Sequence, residues 1–490
     1  MRKAMKDNIM GVFRTMYEAH GIIRQYINDD MRENAYELLC DCQNTAVELG
    51  NTIYEVENDS FDGLHFFEEY CETVYQTAIS TDISGEAAQS LLDEKLNAAE
   101  AAAEKIPAKL EVVFLPYKAS MWDSLESIWR AADADPECNA RVIPIPYYDR
   151  KPDHSFGMMH YEGKDFPDYV PITHYTEYDI ESNQPDIIYI HNPYDDCNYV
   201  TSVAPEYYSF ELRKHTPMLV YVLYYLSSSY KDRQSGAVMY SAYNHVDKIV
   251  IPTQGHKECH PRDSVPYDKF MVLGSPKIDY IVNQLDKEEI PAEWTERCNG
   301  RKVILMNSTI GQLLNDEYWC NSMYDLMKSF DDIDDCILLW RPHPLLKATV
   351  SSMRPDIEKE YDNLVAAMAD HKNIIIDTNP SVYPAMKLSD ALISDYSSIV
   401  MQYAFTGKPA LLTVQKSSDK DNMYVCMDYF QNYFMEDGVT IKDFVDIVIN
   451  DRDEFKNTRI SAISADTANP DGSCGSKVHE EIKSVFNAIG

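Results

Sequence analysis

"LISDYSSIVMQYAFTGKPALLTV", residues 392–414, sets apolar runs on either side of a short stretch holding one acid and two serines. The first run, completed upstream as "DALIS", has the length and composition of a buried strand. The segment from Ser397 reads as a helix closing at Gly407. A strand that runs straight into a helix is the repeating unit of a parallel α/β sheet. At such a junction the first N–H groups of the helix lack backbone partners and favour an anion. Ser397 and Ser398 add hydroxyl donors. Asp395 suits the orientation of the loop, a ribose hydroxyl or a basic partner. An N-cap at Asp395 or Ser397 explains the same residues, and the local sequence leaves both readings open.

Further runs of this kind fall into two series. "KLEVVFLP", "ARVIPIPYY", "PDIIYIHNPYD", "MLVYVLYYL", "VDKIVIPT" and "KFMVLGSPKID" precede residue 285, and "KVILMNST", "DCILLWRPHP", "KNIIIDT", "DALISDYSS" and "KPALLTV" follow residue 300. Short apolar runs alternating with helical segments indicate parallel sheets covered on both faces. The expected fold is α/β with two Rossmann-like domains, residues 106–290 and 291–490, the second ending in a C-terminal helix. Residues 1–105 contain no proline and carry apolar residues three and four apart. They read as a helical hairpin or small bundle, with Ser84 capping its last helix, that serves either as a cover or as a site for a protein partner or self-association.

Composition narrows the function. A formal net charge of −36 argues against a nucleic-acid partner and against broad adhesion to anionic lipid. No run of about 18 apolar residues suggests a transmembrane helix. The start of the chain lacks the apolar core of a signal peptide. The expectation is a cytoplasmic protein, at most peripheral at the inner face of the membrane. The 11 cysteines are scattered and odd in number, which fits reduced thiols. Cys40 with Cys42, and His256 with Cys259 and His260, lack a second half at metal-site spacing, so no metal is expected. The 35 tyrosines read as core and cavity walls.

In parallel sheets chemistry gathers beyond the strand C-termini. That rule selects "FLPYKASMWDS", "YIHNPYDD", "LGSPKID", "MNSTIG", "WRPHP" and "SDYSS". In "WRPHP" the alternating Arg341 and His343 project to one side of an extended loop stiffened by Pro342 and Pro344. Arginine forks onto phosphate, and histidine donates to phosphate or moves a proton. A plain surface corner has the same sequence.

"WRPHP" followed by "SDYSSIVMQYAFTGKPALL" resembles the paired signature of the CDP-glycerol glycerophosphotransferases, the primases and polymerases of teichoic acid. "VLGSPKID" is similar to that family's Gly-x-Pro-Arg-x-Asp segment, with Lys277 for Arg, and "NPDGSCGSKV" to its closing Asp-Gly-x-Ala segment. The resemblance implies a GT-B-like pair of domains around a cleft, with a CDP-linked donor as substrate and no resident cofactor. Glycerol phosphate, or a related polyol phosphate, would pass to an acceptor hydroxyl in wall or surface-glycan synthesis, releasing CMP. The acceptor would be lipid-linked or a glycan. It further implies that Arg341, His343, Asp395, Ser397 and Ser398 line the donor site, with Lys277, Asp279 and Thr309 beside it. Two departures stand out. Gly311 occupies the place of a family arginine, and the family's Trp-His-Gly-Thr segment, source of its base, is replaced by "VYVLYYLSSSY". His191, near Asp195 and Asp196, is the substitute base expected here, with His215, Tyr224 and Tyr225 behind it. Lys118 would meet an anionic acceptor. The alternatives are a GT-B glycosyltransferase using a nucleotide sugar and a nucleotide-binding scaffold without turnover.

Overall fold

The computed structural model describes residues 1–58, 61–151, 153–198, 200–226, 240–260, 264–395, 397–413 and 431–489. The end of "VYVLYYLSSSY", Tyr396 and Val414 lie outside them. The chain divides into two compact units. One comprises residues 1–112, 133–141 and 181–187. The other comprises 113–132, 142–180 and 188–490.

The first unit is built on four helices, α1 Lys3–Asn28, α2 Arg32–Glu57, α3 Leu64–Ile79 and α4 Gly85–Glu104. Each packs along its neighbours, α1 also on α4. Phe13, Ile23, Leu39, Ala46, Ile53, Phe67, Leu92 and Leu96 fill the interior from all four. These are the residues spaced three and four apart, so the helical period puts them on one stripe. Ser84 caps α4 by accepting from the Ala87 N–H, as its position predicts. His20 is buried between Asp93 and the Tyr70 hydroxyl, each at 2.7 Å.

The strands are β1 Leu110–Leu115, β2 Cys138–Val142, β3 Tyr147–Arg150, β4 Phe156–His160, β5 Ile187–Ile190, β6 Thr201–Val203, β7 Met218–Val222, β8 Lys248–Ile251, β9 Phe270–Val272, β10 Lys302–Ser308, β11 Cys336–Pro342, β12 Ile374–Ile376, β13 Ala391–Ser394, β14 Ala410–Leu412 and β15 Tyr433–Phe434. They make two six-stranded sheets, ordered β2-β1-β5-β7-β8-β9 and β12-β11-β10-β13-β14-β15, and a small antiparallel sheet ordered β4-β3-β6. Every pairing in the second six-stranded sheet is parallel. Alternation along its strands feeds two cores. Ile304, Met306, Leu338, Trp340 and Ile393 face one side, while Val303, Leu305, Ile337, Leu339 and Leu392 face the other.

The second series of runs therefore forms a wholly parallel sheet, and in the first sheet β7, β8 and β9 pair in parallel, while the end of "ARVIPIPYY" falls in β3 of the antiparallel sheet. The antiparallel sheet and β15 were not anticipated. β15 has only two residues, and β4 is largely exposed, so neither offers an apolar run to read. The C-terminal helix Cys474–Ile489 begins against the loop and helix that follow β1. A Cβ on Gly475 would sit 2.3 Å from the backbone carbon of Ser127.

Candidate active site

Strand order in the second sheet reverses beside β10. The chain builds outward through β11 and β12, then returns to lay β13 on the other side of β10. Loops leaving β10 and β13 diverge there and open a crevice beyond the carboxyl ends. Register brings Asn307, Arg341 and Ser394 level across β10, β11 and β13. Two bonds cross the switch point. Asn307 Nδ2 donates to Ser394 Oγ at 3.1 Å, and the Thr309 hydroxyl donates to Asp395 Oδ2.

A cavity of about 930 Å³ opens at this point. The second-sheet loops supply Asn307, Thr309, Arg341, His343, Ser397, Ser398 and Gln402. The loop after β1 and residues 162–167 supply Trp122, Asp123, Glu126, Glu162 and Asp165. Lys277 and Tyr280 come from the helix Pro276–Asn283, and Tyr383 from Tyr383–Leu388. Six of the expected donor-site residues thus share one cavity: Lys277, Thr309, Arg341, His343, Ser397 and Ser398. Its volume suits a nucleotide-sized ligand.

Ser397 is both cap and wall. Its hydroxyl accepts from the Ile399 N–H at 3.1 Å at the head of Ser398–Ala404, and it lines the cavity. His343 is half-buried. Its Nδ1 accepts from the Leu345 N–H at 3.1 Å, so the neutral ring carries its proton on Nε2 as a donor. Burial, and then the nearby Arg341 charge, lower its pKa below the usual histidine value, which favours that neutral form.

Other expectations are corrected. Arg341 does not fork onto the cavity. Its Nη1 reaches Asp377 at 2.6 Å and the carbonyls of Asn379 and Ser381, and its Nη2 reaches that of Pro380. It shapes the 379–381 loop, because Asp377 leaves the neighbouring strand within reach of a buried guanidinium. Asp279 does not line the cavity. It accepts from the backbone N–H groups of Cys474 and Gly475 at 3.1 and 2.7 Å. The two segments "GSPKID" and "NPDGSCGSKV" are thus a clasp: a carboxylate satisfies the first amides of the last helix. Thr309 lines the cavity, but its proton is committed to Asp395 and its oxygen accepts from Gln312.

His191 is not placed as a base. It is 0% exposed and absent from the cavity wall. Its Nε2 accepts from the Tyr117 N–H at 3.2 Å, and its Nδ1 lies 3.0 Å from Ser124 Oγ, which itself donates to the Met121 carbonyl. The ring pins the loop after β1. Burial, with the Lys277 charge second, pushes its pKa down to about 3. Asp195 turns away from it to Ser209 and Ser241, and Asp196 is exposed. Neither His215, Tyr224 nor Tyr225 lines the cavity. Tyr224 bonds the Tyr194 hydroxyl and Tyr225 that of Tyr240. Lys118 lies over the Tyr117 and Tyr147 rings. His191→Ala is therefore expected to cost about 1–3 kcal/mol of stability, the scale for stranding buried polar partners, and to leave the acidic limb of the pH–rate profile in place. Loss of that limb would restore His191 as the base.

Asp395 stands behind the wall rather than in it. Burial raises its pKa to about 6, against the Thr309 bond that lowers it, and Oδ1 is buried with no partner among the described residues. A carboxyl whose folded pKa is raised contributes stability below its unfolded pKa, near 3.8, and loses it as pH climbs through the folded value. Asp395→Asn keeps an acceptor for Thr309 and removes that penalty. It should raise the unfolding free energy at pH 8, by at most about 3 kcal/mol, and the gain should vanish near pH 4. A gain independent of pH would contradict this account.

The sequence did not single out Asp123. Lys277 Nζ lies 2.6 Å from each of its oxygens, and the Tyr383 hydroxyl donates to Oδ2. The three side chains tie the loop after β1 to two later helices at the cavity. The loop "FLPYKASMWDS" was flagged by its place after a strand, but nothing local marked which residue in it meets Lys277.

The fold recurs in solved structures. One from Listeria monocytogenes, described as a UDP-N-acetylglucosamine 2-epimerase, is 14% identical over 78% of this chain and 98% of its own, with a TM-score of 0.51. Another UDP-N-acetylglucosamine 2-epimerase is 12% identical over 78% and 97%, also at 0.51. A variant of the wall teichoic acid polymerase TagF, soaked with CDPG, is 14% identical over 87% and 98%, at 0.48. No curated protein sequence matches the chain. The model of the CDP-glycerol:poly(glycerophosphate) glycerophosphotransferases matches residues 205–482, more than half of the chain, and spans the loops after β10, β11 and β13 that form one wall of the cavity. The chain belongs to that family, and it is a transferase that takes glycerol phosphate from CDP-glycerol.

Proposed function

We propose that the CDP-linked donor lies in the 930 Å³ cavity with its pyrophosphate against Ser397, Ser398, Asn307 and His343, and that the acceptor enters from the side of Glu162 and Asp165. Residues 291–490 then form the donor side and 106–290 the acceptor side. The observation that carries this reading is the cavity's place at the switch point of a parallel sheet, beyond strands β10, β11 and β13. Hydroxyl, amide and imidazole donors fixed in advance serve a pyrophosphate whose charge grows on the departing CMP.

Lys277 and Arg341 act by position, one holding Asp123 and the other the 379–381 loop. Asp395 fixes Thr309 from behind the cavity wall. With His191 enclosed, the acceptor's proton passes to solvent or to a cavity carboxylate. The product belongs to teichoic-acid or related surface-glycan synthesis at the cytoplasmic face of the membrane. No helix among the described residues is long and apolar enough to cross a membrane. The four N-terminal helices offer a surface for a protein partner or a second copy.

Joint replacement of Ser397 and Ser398 by Ala tests the donor site. It should weaken CDP-glycerol binding by about 1–3 kcal/mol, the scale for hydrogen bonds to a charged group. Because Ser397 also caps a helix, thermal stability should fall by about 1 kcal/mol. Lower stability with unchanged donor affinity would remove the serines from the site.

A further inference from the structure

Each N-terminal helix buries one apolar stripe, but α2 and α3 carry a second one that is left open among the described residues. Tyr36, Val47 and Tyr54 on α2, and Tyr75 and Ile79 on α3, are 44% to 55% exposed. Their spacing puts each set on one helical face. The two faces meet because α2 and α3 pack antiparallel. Gln43 Nε2 donates to the Cys71 carbonyl at 3.4 Å, and a Cβ on Gly50 would sit 3.4 Å from Leu64. Between the helices lies a groove of about 400 Å³, floored by Ala46, Gly50 and Phe67 and walled by Val47, Cys71 and Tyr75. The same faces carry it on to Tyr36 and Ile79 at one end and to Tyr54 at the other, a span of about 27 Å along α2 at the helical rise.

The border of this groove is acidic. α2 and α3 together hold nine carboxylates, and Arg32 is the only lysine or arginine on either helix. Glu68 and Glu72 stand on the α3 rim. On α2, Glu37, Asp41, Glu48 and Glu55 follow one another at helical spacing, next around the helix from Tyr36, Val47 and Tyr54. Two of the remaining carboxylates are paired, Glu57 with the amino terminus of the chain and Glu69 with Lys95. None of the six border carboxylates forms an ion pair among the described residues. An apolar groove edged by one sign of charge selects its occupant twice. Apolar side chains at the helical period fill the groove, and cations beside them meet the border. A second copy of this chain is the wrong occupant, because a two-fold contact through the same face would set these carboxylates against themselves.

Resting on the reading of the N-terminal helices as a partner surface, and not on the donor placement, we propose that the α2–α3 groove takes a basic amphipathic helix of a partner protein. That helix needs about 18 residues to run the length of the groove, apolar side chains three and four apart on one face, and Lys or Arg on the flanks of that face. Ala46 and Gly50 leave the room that a leucine or phenylalanine anchor fills, and Tyr36, Tyr54 and Tyr75 supply large apolar surface with a polar tip around it.

The test uses the full chain and labelled synthetic peptides of about 18 residues. The first sets leucine at the helical period and lysine elsewhere, the second scrambles that composition, and the third replaces every lysine by glutamate. Fluorescence anisotropy should show the first bound at least about tenfold tighter than the scrambled peptide, with the glutamate peptide unbound. Val47→Asn with Tyr75→Ser should weaken the first at least about tenfold while the thermal melt stays that of the wild type. Glu68→Gln with Glu72→Gln should weaken it about threefold or more and flatten its salt dependence. Equal binding of the scrambled peptide overturns the proposal, since charge alone then accounts for the attraction. So does unchanged binding by the Val47→Asn, Tyr75→Ser variant. Tight binding of the glutamate peptide, or light scattering that shows a dimer broken by that variant, leaves the partner surface standing but overturns the basic helix as its occupant. A monomer that binds none of the peptides overturns both.

Discussion

Asp123→Ala is expected to destabilise the protein by about 3–5 kcal/mol, the scale for stripping one partner from a buried ion pair. Asp123 and Lys277 are 8% and 6% exposed, so the ammonium left behind can neither reach bulk water freely nor find another carboxylate at its 2.6 Å contacts. The Tyr383 hydroxyl loses its acceptor in the same substitution. Denaturant unfolding of the variant should show the loss as a lower midpoint at unchanged slope. A second variant separates the buried charge from the packing. In Asp123→Leu with Lys277→Met both charges are gone, and stability should recover to within about 1–2 kcal/mol of wild type. A single variant that costs less than about 1 kcal/mol would mean the pair is hydrated, and its role in tying the cavity together would fall. Turnover should drop in both variants, since the pair fixes the loop that carries Glu126 and Trp122 to the cavity.

His343→Ala is expected to reduce CMP release by about 10²–10³, the scale for removing one positioned electrostatic donor. The ring is set for that role by the Leu345 N–H, which occupies Nδ1 and leaves the proton on Nε2. A neutral donor of this kind stabilises charge that grows on the departing phosphate, so the loss should appear in kcat more than in donor affinity. His343→Gln retains a donor at similar reach and should recover part of the rate. Because burial and Arg341 hold the histidine pKa down, wild-type activity should not rise as pH falls toward 6 on account of this residue. A variant that keeps more than about a tenth of the turnover would take His343 out of the chemistry.

Strand and helix were legible wherever one side chain in two, or one in three or four, had to be buried. "KVILMNS", "CILLWRP" and "ALIS" are apolar on both alternations because helices cover both faces of their sheet, and that shows in any one of them read alone. The N-terminal helices were legible for the same reason in their own period. Two-residue β15 and exposed β4 were not, since register with a neighbour makes them strands and their own side chains do not.

For the site, the sequence determined which loops meet, because the carboxyl ends of parallel strands lie on one edge of the sheet. Ser397, Ser398, Thr309, His343 and Lys277 all arrive at the cavity from loops chosen in that way. What each polar group does there was decided by tertiary structure alone. Arg341 reads as a phosphate fork until Asp377, thirty-six positions away, takes its Nη1. His191 reads as a base until Tyr117 and Ser124 close around both ring nitrogens. Asp279 reads as a ligand contact until the amides of residues 474 and 475 arrive from the end of the chain. Asp123 gains its partners from residues 277 and 383. A buried charge or donor must be satisfied by whatever polar group packs against it. The sequence fixes which residues are polar, but only the packing of distant segments decides which of them is left facing the substrate.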